Sequence, residues 1–220
     1  MAASHTLIFI GGDSPHPNVR QHLPTNAYVI AADSGYAHAI AMGFVPNELV
    51  GDMDSISAVD LADAHDLNVL ITQFPTDKDL TDTEIAIASA IARHSTHITV
   101  VSGGGDRFDH VLGMVHSLSS CALTVDTTLL MGTARVSYAT YTKEFRINTQ
   151  PGNTMSLIPL GGDAIVTTTG LQWELNNDTM QSFASRGVSN IASGESVTIS
   201  VTTGVLAVIE PFFLNHGDFQ

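Results

Sequence analysis

Aspartates at short spacing dominate one stretch of this chain. Eight of its 16 aspartates lie between Asp52 and Asp82. Gly51-Asp52-Met53-Asp54-Ser55 sets two carboxylates one residue apart, and in an extended segment alternate side chains share a side. Asp77, Asp79 and Asp82 offer three more, the last within the first turn of a predicted helix. Carboxylate oxygens are hard ligands of the kind Mg²⁺ takes one or two at a time, alongside waters and substrate phosphates. Two bare carboxylates about 4 Å apart repel by ~4 kcal/mol at an effective dielectric of about 20. A divalent cation removes that repulsion and makes an acidic pocket hospitable to a polyphosphate. Turn and N-cap duty is the plainer role for Asp52 and Asp54, but it leaves the second acidic loop unexplained. A merely solvated acidic face would mix Glu with Asp on helices; here Asp dominates, in turn-like segments.

A phosphate-binding partner for such a metal is also legible. Gly103-Gly104-Gly105 precedes a predicted helix, so its backbone amides can cradle phosphate oxygens. No Gly-Lys-Ser/Thr follows it, and its glycine spacing is not that of a dinucleotide fingerprint. Arg107 stands beside this run and Lys78 sits inside the second acidic loop. A guanidinium bridges phosphate oxygens bidentately; the alternative is that both cations simply neutralise neighbouring aspartates. His110 is either a ligand contact or a residue that packs or caps the start of a helix. Asp33-Ser34 ends another apolar run, so four separate loops carry these residues.

The elements that must position them alternate. Thr6–Ile10, Tyr28–Ala32, Leu49–Val50, Asn68–Thr72, His97–Ser102 and Ala122–Val125 read as strands. Tyr36–Met42, Leu61–His65, Thr81–Arg93 and Phe108–Ser119 read as helices. Thr81 and Glu84 have capping-box spacing, and Ile85, Ala88 and Ala92 share one face. Such alternation predicts a parallel sheet covered on both faces, with ligands at the carboxyl ends of its strands. After about residue 132 the texture changes. Val136–Tyr141, Glu144–Ile147, Thr154–Pro159, Ala164–Thr169, Ser196–Ser200 and Val205–Ile209 are short β-type runs. Turns such as Pro151-Gly152-Asn153 and Gly161-Gly162 separate them, which predicts an all-β sandwich or barrel.

The chain has 220 residues, 44% of them apolar and 14% charged, which excludes disorder. A net charge of −14 with eight basic residues excludes a nucleic-acid partner. No apolar run approaches a membrane span. Met1 to Thr6 has neither a basic region nor a small-residue cleavage site, so no signal peptide is expected. The single cysteine, Cys121, reads as a buried inert thiol. A cytoplasmic location is expected.

Taken together, the segments AADSGYAHAIAMG (31–43), ELVGDMDSIS (48–57), FPTDKDLTDTEIAI (74–87), GGGDRFDH (103–110) and TTTGLQWELNNDTM…SRGVSN (167–190) resemble the thiamine pyrophosphokinase family. The resemblance implies an N-terminal Rossmann-like α/β domain over 1–132 and a C-terminal β-sandwich domain over 133–220. It implies a homodimer with active sites in clefts between subunits, and transfer of a diphosphoryl group from ATP to the thiamine hydroxyl, releasing AMP. It assigns Asp52, Asp54, Asp77 and Asp79 to Mg²⁺ and catalysis, with Asp54 or Asp77 as the proton acceptor. Asp33, Ser34, Lys78, Thr81, Asp82, Arg107, Asp109 and His110 fall to ATP, and Trp173, Ser189 and Asn190 to thiamine. By composition alone a lone tryptophan is more often core than ligand platform. Asp106 stands where the family commonly has glycine, and Gly11-Gly12-Asp13 receives no role. A diphosphokinase acting on a pterin alcohol would share the aspartate loops but not the β part. A non-catalytic thiamine or nucleotide sensor would lack the metal carboxylates.

Overall fold

The computed structural model describes residues 4–211 apart from Lys78 and Asp106. The expected ATP contact at Lys78 and the departure at Asp106 therefore lie outside the described residues. The fold is mixed α/β, and its contacts divide the chain into two units. One comprises Met1–Met114 with Thr128–Gly132, the other Val115–Thr127 with Thr133–Gln220.

In the first unit, strands β1 (His5–Phe9), β2 (Tyr28–Ala32), β3 (Glu48–Gly51), β4 (Leu70–Gln73) and β5 (His97–Ser102) alternate with helices. These are α1 (Gly35–Ala41), α2 (Ala58–Asp66), α3 (Asp82–Ala92) and α4 (Phe108–Cys121), the last shared with the second unit. A further strand, β6 (Asp126–Met131), whose first two residues fall in the second unit, completes the order β6-β5-β1-β2-β3-β4. The pairs β1–β2, β1–β5, β2–β3 and β3–β4 are parallel. Leu7, Ile8, Phe9, Ile30 and Ala31 are wholly buried, as expected of a sheet covered on both faces. The chain runs outward from β1 to β4, then returns to β5 on the other side of β1. That reversal between β1 and β5 is a topological switch point, where open sheets place ligands.

Local chemistry fixes the element ends that matter. Thr81 Oγ1 accepts the Glu84 N–H at 3.2 Å while Glu84 Oε2 accepts the Thr81 N–H at 3.0 Å, closing the expected capping box of α3. The expected strand at Ala122–Val125 does not form. The amides of Ala122 and Val125 instead donate to Leu118 O and Cys121 O, which extends helix-like turns past α4, and the strand begins at Asp126. Cys121 is buried beneath Thr127. Among the described residues no helix is long and apolar enough to cross a membrane.

Every described element after residue 132 is a strand: β7 (Ala134–Thr140), β8 (Phe145–Asn148), β9 (Thr154–Thr169), β10 (Asp178–Met180), β11 (Asn190–Ile191) and β12 (Ser196–Pro211). Four expected runs merge into two long strands. Gly161-Gly162, read as a turn, lies within β9 opposite register shifts between Val201 and Val205 of β12. Glycine inside a strand marks a bulge or bend as readily as a turn. β12 pairs antiparallel with β9 along most of its length, with β8 at its start and with β7 at its end. Both halves of β9 feed one core, where Met155 and Leu157 meet Ala164 and Val166. The short strands β10 and β11 pair with β9.

Candidate active site

Five segments of the first unit converge on a cavity of about 350 Å³. Asp33 and Ser34 follow β2, Ser55 follows β3, and Thr81, Asp82 and Thr83 open α3. Gly104, Gly105 and Arg107 follow β5, and His110, Val111 and Met114 come from α4. The fifth segment is Ile10-Gly11-Gly12, at the end of β1, to which the sequence assigned nothing. Asp13 donates its N–H to Gly104 O at 2.9 Å, and Gly103 donates to Asp13 O at 3.0 Å. The two glycine loops are therefore one backbone-bonded unit straddling the switch point. Gly12, at φ +98°, packs so closely that a Cβ there would sit 2.1 Å from Gly104 O.

A carboxylate cluster borders this cavity. One oxygen each of Asp33, Asp52 and Asp82 lies within 4.8 Å of the others. Asp33 is only 6% exposed and has a left-handed backbone (φ +44°). Its Oδ1 accepts the Met53 N–H at 3.0 Å, so the loops after β2 and β3 are tied at the cluster. Gly51 permits the approach, since a Cβ there would lie 2.1 Å from Asp33 Oδ1. Burial pushes the Asp33 carboxyl up to about 7; the Met53 N–H opposes this, and hydrogen-bonded Asp82 and then Asp52 add to it. Three mutually repelling oxygen donors fit a hard divalent cation, whose bonds to oxygen are ~2.1 Å long for Mg²⁺.

The membership of the cluster differs from the expected quartet. Asp52 belongs to it, joined by Asp33 and Asp82, which the resemblance placed with the nucleotide. Asp54 is exposed and donates its N–H to Asp52 Oδ1 at 3.1 Å, bracing that loop. Asp77 and Asp79 are exposed and lie outside the cluster. Ser34, Thr81, Arg107 and His110 line the cavity; Asp109 does not. Asp109 grips Arg107 instead: Nε donates to Oδ1 at 3.0 Å and Nη2 to Oδ2 at 2.8 Å. That bidentate pair, helped by the His110 N–H, holds the Asp109 carboxyl well below the usual range. Arg107 Nη2 also lies 2.9 Å from His110 Nε2.

The thiamine candidates lie in the second unit. Trp173 is 56% exposed and so is no core residue. Asn190 is buried, and its carboxamide bonds the Trp173 backbone at both its N–H and its C=O. Ser189 has a left-handed backbone (φ +58°), and its N–H donates to Ser156 Oγ at 3.0 Å. Ser189, Ser156 and Glu210 line a second cavity of about 220 Å³. Nothing in the local sequence around Ser156 or Glu210 singled them out, because their place in this cavity comes from β9 and β12 lying side by side.

Residues 19–130 match the family model for the thiamin pyrophosphokinase catalytic domain, and residues 142–206 match that for the thiamin pyrophosphokinase vitamin B1 binding domain. Thiamine pyrophosphokinase 3 of Oryza sativa subsp. japonica is 30% identical over 173 residues, which are 73% of this chain and 63% of that protein. The chain thus spans somewhat under two thirds of that relative's length. Thiamine pyrophosphokinase of Bacillus subtilis (strain 168) is 24% identical over 195 residues, 88% of this chain and 91% of the relative. The crystal structure of a Bacillus subtilis thiamine pyrophosphokinase superposes with a TM-score of 0.84, covering 96% of this chain and all of the other, at 24% identity. With both halves of the family pattern matched in order, and its loops gathered at one switch point, the chain belongs to the thiamin pyrophosphokinase family.

Proposed function

We propose that the protein transfers the diphosphoryl group of ATP to the hydroxyl of thiamine, giving thiamine diphosphate and AMP. The observation that carries this reading is the Asp33–Asp52–Asp82 cluster beside a cavity walled by two glycine loops and Arg107. ATP occupies that cavity, with the amides after β1 and β5 and the Arg107 guanidinium facing its phosphates. Asp33, Asp52 and Asp82 hold Mg²⁺, with Asp54, Asp77 and Asp79 close to them in sequence and Lys78 between. Charge neutralisation at the phosphates is the chemistry such a cation would supply when bound there. The protein's own part is positioning: Ser34 and Thr81 bound the cavity, and His110 presents a hydrogen-bonding edge to it. The C-terminal unit is a β-sandwich that offers thiamine the exposed indole of Trp173, with Ser189 and Asn190 beside it.

The protein is cytoplasmic and acts as a homodimer, each site completed by the β part of the other subunit. The support is family membership. A pterin-alcohol diphosphokinase would share the aspartate loops, but the match to a vitamin B1 binding domain favours thiamine. Parallel incubations with thiamine and with a pterin alcohol test this. Turnover of thiamine alone is expected, and turnover of the pterin alcohol alone contradicts it.

A further inference from the structure

A guanidinium has only N–H donors and accepts nothing. At the 2.9 Å contact between Arg107 Nη2 and His110 Nε2, the imidazole must therefore be the acceptor. A neutral imidazole that accepts at Nε2 carries its proton on Nδ1. Nη2 also donates to Asp109 Oδ2 and Nε to Oδ1, so three contacts fix the guanidinium plane. The Arg107 and Asp109 side chains are 65% and 66% exposed. An ion pair so open to water adds little stability, which leaves orientation as its main effect. Asp109 achieves this without lining the cavity, where a carboxylate would repel a polyphosphate.

We infer that Asp109 is a positioning residue that aims Arg107 at the anionic ligand without touching it, and that His110 enters the site as its Nδ1–H tautomer. Its functional half rests on the ATP site proposed above; the tautomer does not. In the ligand-free full-length protein with ¹⁵N-labelled histidine at about pH 8, the His110 signal is identified by its loss in His110→Gln. A protonated Nδ1 and a bare Nε2 are expected, with that preference lost in Arg107→Ala. A protonated Nε2 in the wild type overturns the tautomer. Asp109→Ala and Asp109→Asn should raise the KM for ATP about tenfold with kcat within about threefold. A fall in kcat at unchanged KM overturns the positioning role. A protein that shows the Nδ1–H form but no thiamine turnover refutes the proposed activity and leaves the tautomer standing.

Discussion

The side chain of Asn190 clasps the backbone of Trp173 from both sides, its Oδ1 accepting the Trp173 N–H at 3.2 Å and its Nδ2 donating to the Trp173 C=O at 2.8 Å. The buried amide thus sets the direction of an indole that is 56% exposed. Asn190→Ala takes the side-chain partner from three backbone groups, the Trp173 N–H and C=O and the Ile191 N–H, at a cost of about 1–3 kcal/mol. The expected outcome is a KM for thiamine raised about tenfold, more than any change in the KM for ATP, with a matching loss in urea stability. Steady-state kinetics with each substrate varied in turn checks it.

Trp173→Ala removes the exposed ring itself. Because the indole packs little core, stability should change by less than about 1 kcal/mol while thiamine affinity falls. A large drop in melting temperature would show that the ring is structural.

Stability in the ligand-free protein should fall as pH rises. The folded-state value of Asp33, about 7, lies above its ordinary 3.8. Its stabilising contribution is therefore complete below the unfolded value and is lost as pH rises through about 7. Urea unfolding in the presence of a chelator should show a loss of order 2 kcal/mol between about pH 5 and pH 8. Asp33→Asn should flatten that slope and be the more stable protein at the higher pH. An unchanged slope would mean that burial at Asp33 is relieved by water.

Gly12→Ala tests the paired glycine loops. Its Cβ would fall 2.1 Å from Gly104 O, at a backbone angle that side chains resist. The β1 and β5 loops must then part, so ATP binding measured by calorimetry should weaken at least tenfold, with destabilisation of about 1–3 kcal/mol. ATP binding at wild-type strength would remove the β1 loop from the site.

If the site is shared between subunits, Asp52→Asn should be inactive and Trp173→Ala nearly so at limiting thiamine, and mixing them under subunit exchange should restore part of the activity. No recovery counts against a shared site.

Much of this architecture was legible because it is local. Strands β2 and β5 and the capped helix α3 follow from apolar runs and the Thr81/Glu84 spacing, and the acidic loops from their spacing alone. What could not be read depends on strand order. Gly11-Gly12 gains its place from β5 returning beside β1, a non-local pairing that no motif announces. Asp33 and Asp82 join Asp52 because the carboxyl ends of β2 and β3 are neighbours and α3 opens toward them, whereas spacing favoured Asp54. The merging of four runs into β9 and β12 was hidden because glycine reads alike in a turn and in a bulged strand.

The most direct measurement is product analysis after the purified protein is incubated with thiamine, ATP and Mg²⁺. Thiamine diphosphate and AMP in equal amounts are the predicted products, lost in Asp52→Asn. Thiamine monophosphate with ADP, or no phosphorylated thiamine from a protein that binds ATP, would contradict diphosphoryl transfer.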